Sequence, residues 1–385
     1  MTPGARAAAA IAVLDRWLAG TPVEQALTNW GRASRYAGSG DRHAVRDLVY
    51  EAVRCRSSFA HRGGAETGRG LILGGLRYAG GDVDHLFNGA GHAPPTLGTA
   101  ESIDPGPAQG LVALDCPDWL APYLQRALGP AFAPVMTLLR QRAPVFLRVN
   151  IVQATRDQAQ ARLAAEGIVT VPHALARTAL HVTEGARKIH TSGCYATGLV
   201  ELQDAASQAV VQALQITPSM RVLDYCAGGG GKALAMAAMG AQVSAHDVDA
   251  GRMRDLPNRA ARAHASVEIL GPGRLQGPYD LVLVDAPCSG SGSWRRAPEG
   301  KWTLTPAKLA SLLSVQAGVL DTAQGLVAAD GCLAYATCTM IEDENAGQIS
   351  EFLARHPDWK CLSQHSFTPL DGGDGFFLAQ LSRVE

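Results

Sequence analysis

Apolar residues recur at helical spacing from residue 5 to about 88, which predicts a run of helices. In "GDRHAVRDLVYEAVRCR" (40–56), Val45, Leu48, Val49, Ala52 and Val53 fall at that spacing, so many of the arginines between them face water. The period is lost in "NGAGHAPPTLGTAESIDPGPAQG" (88–110), whose glycines and prolines mark a loop or linker. A helical piece follows over 117–141. "VFLRVN" (145–150) and "ALHVT" (179–183) then read as strands on either side of a helical "RDQAQARLAAEG", a small βαβ-like platform. "ELQDAASQAVVQAL" (201–214) returns to helix.

Beyond 214, strands and helices alternate strictly. "MRVLDYCAGGGGKALAMAAM" reads as strand, glycine turn and helix, and "AQVSAHDVDAGRMRDL" as strand, turn and helix. "VEIL" is a short strand and "YDLVLVDAP" a buried one. In "LTPAKLASLLSVQAGVLDTAQGLVAADG", Thr305 is expected to cap a helix with Pro306 at its first position, and Gly331 to end it. "CLAYATCT" is another strand, "EDENAGQISEFLARH" a helix, and "FFLAQL" a closing strand. The succession predicts an α/β fold, a doubly wound sheet with a mainly parallel core. The chain divides accordingly into a helical domain (1–88), a linker (89–116), a mixed helical and βαβ segment (117–200) and the α/β domain (201–385), without internal repeats.

Composition narrows the class. Of 385 residues, 47% are hydrophobic and 18% charged, which suits a globular chain. A formal net charge of -1 confines any nucleic-acid surface to a local patch. One candidate patch has seven arginines (32, 35, 42, 46, 54, 56 and 62) against Asp41, Asp47 and Glu51, which is either a solvated helix face or a phosphate-binding one. Eight cysteines are scattered without a C-x-x-C pair, against a disulfide scaffold or a zinc site, so no metal is expected. Asp15 and Arg16 interrupt "ARAAAAIAVLDRW", which suits an amphipathic helix better than a signal peptide. With no stretch fit to span a bilayer, a reducing cytoplasm and no membrane partner are expected.

Two features carry candidate chemistry. The glycine turn "DYCAGGGGKA" fails as a phosphate-binding loop, because Cys226 and Ala233 stand where Gly and Ser or Thr are required. It fits a dinucleotide fingerprint weakly and an S-adenosylmethionine site equally well, with Asp247, 19 residues past Gly228, placed to take ribose hydroxyls. The second feature is a pair of thiols. Cys288, in "DAPCSG", and Cys338, in "YATCT", each follow a buried strand, and in a parallel sheet both strand ends open on the rim where ligands bind. Free cysteine is usually inert core, but two at equivalent strand ends point to chemistry. Methylation of a pyrimidine at carbon 5 uses such a pair: one thiolate adds to carbon 6 and makes carbon 5 nucleophilic, and a base later removes the carbon-5 proton. An acid such as Asp285 and a cation such as Lys232 suit activation of the ring, and the base must be unstacked to reach either thiol. The chemistry alone leaves open which thiol attacks.

The stretches "CAGGGGK" (226–232), Asp247, "DAPCSGSGSWRRAPEGKW" (285–302), "YATCTMIEDENAGQI" (335–349) and "GDGFF" (373–377), with support from "LRVN" (147–150) and "QDAASQ" (203–208), resemble the bacterial Sun-type RNA (cytosine-5) methyltransferase family over about 117–385. The N-terminal helices resemble the antitermination-factor-like RNA-binding domain that such enzymes carry. The resemblance implies a Rossmann-like class I methyltransferase, a monomer acting on ribosomal or transfer RNA with S-adenosyl-L-methionine. It implies Cys338 as nucleophile, Cys288 as the thiol that assists product release, and Asp285 and Lys232 against the cytosine. Cys226, Ala227, Gly228, Gly229, Gly230, Gly231 and Lys232, with Asp247 and Asp285, would hold the cofactor. Arg295, Arg296, Lys301 and Arg148 would contact RNA. Two positions depart from the family: Gly228 and Gly229 replace an Ala-Pro, and Pro272 replaces an acid expected near the adenine. The second departure favours a rival reading, an RNA-binding ribosome-assembly factor that has lost methyl transfer. A nicotinamide dehydrogenase, the third reading, leaves both thiols unexplained.

Overall fold

The computed structural model describes residues 1–271 and 273–384, so the departure at Pro272 lies outside the described residues. The chain forms two compact units: Met1–Arg142 with Trp294–Thr303, and Ala143–Ser293 with Leu304–Glu385.

The first unit is helical, with its main helices at Pro3–Leu18, Val23–Ala33, Ser39–Arg54, Arg56–Gly63 and Gly68–Tyr78. The Thr2 side chain accepts from the Ala5 N–H ahead of Pro3, and Thr67 accepts from Gly70, which satisfies donors that a helix start leaves open. The apolar face read over 40–56 turns inward: Val45, Val49, Ala52 and Val53 join Ala10, Val13, Leu14, Leu71 and Leu73 in one core. Arg56–Gly63 and Gly68–Tyr78 pack backbone to backbone, so a Cβ at Gly74 would overlap the Phe59 carbonyl. The segment Trp294–Thr303 is part of this unit. The Trp302 indole N–H donates to Val53 O at 2.6 Å, Lys301 Nζ to Arg54 O at 3.2 Å, and Arg54 Nε to Arg295 O at 3.0 Å.

The second unit holds two sheets. The smaller has β1 (Val145–Val149), β2 (Val169–Pro172), β3 (Ala179–Glu184) and β4 (Val200–Leu202) in the order β2-β3-β1-β4, with antiparallel neighbours. The helix Arg156–Ala165, opened by a capping box of Thr155 and Gln158, covers one face and buries Leu147 and Val149 against Leu163. The βαβ-like platform is thus a split unit, and Glu201 and Leu202, expected as helix, lie in its edge strand Val200–Leu202; the helix begins only at Ala205, behind its cap Asp204.

The larger sheet has β5 (Arg221–Asp224), β6 (Gln242–Ala245), β7 (Val267–Ile269), β8 (Tyr279–Asp285), β9 (Val327–Thr337), β10 (Trp359–Phe367) and β11 (Phe376–Arg383). Its order is β10-β11-β9-β8-β5-β6-β7, parallel from β7 to β9 and antiparallel at β11 and β10. Connections after β5 run first to one side (β6, β7) and then to the other (β8, β9), which opens a crevice where β5 and β8 meet. Gly331 does not end a helix. The helix Pro306–Ala323 stops earlier, and Gly331 lies inside β9, where a Cβ would press on Val327 and the Tyr279 and Asp280 carbonyls.

Candidate active site

Strands β8 and β9 are in register, with Asp285 opposite Ala336, and the Ala286 N–H donates to Ala336 O at 2.8 Å. The chain therefore leaves both strands side by side, and the two cysteines that follow converge: Cys288 Sγ and Cys338 Sγ are 3.4 Å apart. Gly292 closes the loop behind them. Its N–H donates to Cys338 O at 3.0 Å, its carbonyl accepts from Gly375 N–H at 2.9 Å, and a Cβ there would overlap the Gly375 backbone. The S–H of Cys288 holds the Cys338 thiol below its ordinary value; Lys232 assists, against burial and Asp285. Cys288 is pushed well above its own, by that bond, by burial, and by negative charge on Cys338 and Glu344. The arrangement suits a thiolate on Cys338 that accepts from a thiol on Cys288.

Lys232 lies in the first turn of the helix Gly231–Ala238, at the β5/β8 crevice. Its Nζ donates to Asp285 Oδ2 at 2.7 Å and stands 5.0 Å from the Phe376 ring centroid. Burial pulls its ammonium down, but the Asp285 carboxylate more than offsets this and the net shift is upward. Beneath them Asp224, fully buried at the end of β5, faces the Ala233 N–H, and neither of its oxygens completes a hydrogen bond. Burial, with Asp285 nearby, pushes Asp224 up to about 7.

The glycine turn is held from both sides. Gly228 (φ +51°) and Gly230 (φ +77°) adopt left-handed backbone that other residues resist. The Gly228 N–H donates to Asp247 Oδ2 at 2.9 Å. Arg259 donates to Gly229 O and Arg148 to Gly231 O. Asp247 also accepts from the Asp249 N–H at 3.0 Å and pairs with Arg252 at 3.1 Å, which leaves capacity for a further donor. Cys226 and Ala227 open the turn, and burial with Asp224 raises the Cys226 thiol. A buried carboxylate without a full partner, a second at the end of β6 and a turn without side chains fit a ligand that is cationic at one end and carries ribose hydroxyls.

A family model described as 16S rRNA methyltransferase RsmB/F matches residues 211–382, and one described as an RsmF/B-like ferredoxin-like domain matches 116–188. A protein named ribosomal RNA small subunit methyltransferase B from Photorhabdus laumondii is 33% identical over 285 residues, 69% of this chain and 66% of that protein. The protein of the same name from Klebsiella pneumoniae is 34% identical over 282 residues, 69% and 65% of the two. The chain belongs to the RsmB/F methyltransferase family. It spans just under two thirds of the length of these curated RsmB/F relatives. In fold it is similar to the crystal structure of PH0851, with a TM-score of 0.81 at 22% identity over 100% of this chain and 99% of that one.

Within this RsmB/F chain, three of the four cations expected to meet RNA are turned inward. Arg148 is buried beneath the glycine turn, bonded to Gln203 at 2.7 Å and to Gly231 O, and burial pulls it down to about 10. Lys301 and Arg295 are buried in the helical unit, and Lys301 is 1% exposed. A cation already bonded inside the fold would have to abandon those partners to reach a phosphate. Arg296 alone of the four is exposed. Arg252 and Arg259, which brace the cofactor-type turn, and Glu344, which accepts hydrogen bonds from both thiol loops, were missed by sequence reasoning. The signal for Glu344 was faint: one acid of three in "EDEN", with hydroxyl residues after each cysteine.

Proposed function

We propose that this chain transfers a methyl group to carbon 5 of a cytosine in ribosomal RNA, with S-adenosyl-L-methionine as donor and a covalent cysteine–cytosine intermediate. The observation that carries the reading is the thiol pair, 3.4 Å apart, beside the Lys232–Asp285 ion pair. The glycine turn from Cys226 to Lys232, with Asp247, Asp285 and Asp224, would hold the cofactor, which supplies an electrophilic methyl to carbon 5.

Cys338, the thiol biased toward thiolate, bonds through its sulfur electron pair to carbon 6 of an unstacked cytosine, which breaks the ring's C5–C6 π bond and makes that π pair available at carbon 5. Asp285 and Lys232 face the ring nitrogen and carbonyl and stabilise the charge that develops there. After methylation a proton acceptor takes the carbon-5 proton, the electron pair of that C–H bond re-forms the C5–C6 double bond, and the sulfur–carbon-6 bond breaks to return Cys338 as thiolate. Cys288, within reach of the same base, assists that release. Arg296, the exposed cation of the loop, would meet the RNA backbone. No described helix is long and apolar enough to cross a membrane; the cytoplasm, which holds the ribosomal RNA and keeps both thiols reduced, is the proposed compartment.

The test is methyl transfer to unmodified small-subunit RNA. Cys338→Ala should lose turnover without forming a covalent adduct, whereas Cys288→Ala should accumulate a protein–RNA adduct visible on denaturing gels. Two variants that methylate like the parent protein would overturn the mechanism. An active-site-intact protein that binds RNA but no S-adenosyl-L-methionine by calorimetry would favour an assembly factor instead.

A further inference from the structure

Each cysteine is followed by a hydroxyl residue, Ser289 after Cys288 and Thr339 after Cys338, and both end on one buried carboxylate. Glu344, fully buried in the short turn after β9, accepts from the Ser289 N–H at 2.8 Å, the Ser289 hydroxyl at 2.5 Å, the Thr339 hydroxyl at 2.7 Å and Gln316 Nε2 at 3.0 Å. Gln316 also donates to Pro287 O at 2.9 Å, one residue before Cys288. Ser289 Oγ and Thr339 Oγ1 also lie 2.9 Å apart; with both protons turned to the shared Glu344 oxygen, that contact is one of proximity and not a hydrogen bond. Ser291 Oγ accepts from the Met340 N–H and donates to Thr339 Oγ1, which accepts from the Ile341 N–H and donates to Glu344. In this assignment every group on the carboxylate is a donor, an arrangement that suits a negatively charged side chain. The turn is itself fixed: the Tyr335 hydroxyl donates to Glu344 O at 2.8 Å, and Asn345 bridges Thr337 and Thr339 O.

Glu344 therefore does two things to the thiols. It ties the residue after each cysteine to one point, which fixes the separation of the two loops. It also places a negative charge behind Cys288, whereas the ammonium of Lys232 lies on the Cys338 side with Asp285. The Tyr335 hydroxyl, on β9, is a further titratable group that interacts with both Cys288 and Glu344. We propose that Glu344 is a positioning residue for the thiol pair: it holds the Cys288 and Cys338 loops together and keeps the shared proton on Cys288, so that Cys338 is the thiolate. Its meaning for catalysis rests on the methyltransferase reading, but its physical content does not.

The experiment alkylates the full-length protein with iodoacetamide at pH 7 and follows each cysteine by peptide mass spectrometry. In the parent protein Cys338 should react about tenfold faster than Cys288 or more, since the thiolate is the reacting form. Glu344→Gln keeps the shape and removes the charge; the ratio of the two rates should fall about tenfold. Thr339→Val, which removes the hydroxyl's hydrogen bonds to Glu344, Ser291 and the Ile341 N–H but leaves the charge, should change the ratio far less. A parent protein in which Cys288 reacts first overturns the proposal without any variant. So does a Glu344→Gln protein with a native melting temperature and an unchanged ratio. If the ratios follow the expectation while no methyl transfer is found, the functional reading fails and the proton placement stands.

Discussion

At the scale of single residues, the site is organised by acids that burial has separated by role. Asp285 faces Lys232 in a direct ion pair, Asp247 accepts one backbone N–H at each oxygen, and Asp224 sits below both without a full hydrogen bond. An acid raised to about 7 is protonated in part at neutral pH and binds a proton that the unfolded chain has already released. Its contribution therefore weakens the fold as pH rises from its ordinary value toward 7. A bound cation reverses that trend, because it favours the carboxylate. Affinity for S-adenosyl-L-methionine should accordingly rise with pH up to about 7 and then level, with proton release on binding. Calorimetry in two buffers of different ionisation enthalpy measures the release directly. Asp224→Asn should abolish it; an unchanged release would place the titrating group elsewhere.

At the scale of elements, the segment Trp294–Thr303 shows what a charge pattern conceals. "WRRAPEGKW" reads as a basic loop open to solvent, yet its lysine is buried and donates to Arg54 O. Burial pulls the Lys301 ammonium down to about 8, with Asp115 opposing. A lysine whose folded value is depressed binds fewer protons than in the unfolded chain between about pH 8 and its ordinary value. It therefore penalises the fold at and below pH 8, by up to a few kcal/mol, and the penalty fades as pH rises through that window. Lys301→Met should flatten the dependence: from pH 7 to pH 9.5 the melting temperature of the parent should gain several degrees relative to the variant. Parallel shifts in both would show that Lys301 carries no such penalty. The same limit governs Arg148, since periodicity locates β1 but says nothing about which cation on it finds a partner inside. Apolar pattern was a better guide to the thiols, because a residue just past a buried parallel strand has its position set by the sheet. It failed at β10, an edge strand with mostly exposed positions, and at Gly331, where alanine-rich sequence let a helix reading run into a strand. Glu344 was not legible because its partners are hydroxyls and backbone, which carry no period.

At the scale of the molecule, a net charge of -1 leaves the proposed RNA binding to whatever cations the fold does not use. Five of the seven arginines between 32 and 62 are spent internally. Arg42 donates to Ala37 O and Ser34 O, Arg46 pairs with Glu24, Arg54 is buried against Arg295 O, Arg56 pairs with Glu66, and Arg62 with Asp104. Arg32 and Arg35 are exposed and make no ion pair among the described residues, and between them and Gly38 stands Tyr36, 75% exposed. Two free guanidinium groups beside an exposed ring are the parts that hold a single strand, by phosphate pairing and base stacking. Their share of RNA binding is measurable through salt. Removing one phosphate-binding cation lowers the slope of log affinity against log salt by about 0.7 for a single strand. Arg32→Ala with Arg35→Ala should therefore weaken binding to small-subunit RNA and reduce the slope by about 1.4 between 50 and 200 mM salt. Arg42→Ala and Arg62→Ala, which remove internally paired charges, should leave the slope nearly unchanged. A double variant with the parent slope would assign the basic run to solvent, and the cations that meet the phosphates would then have to be others of the chain, such as Arg296.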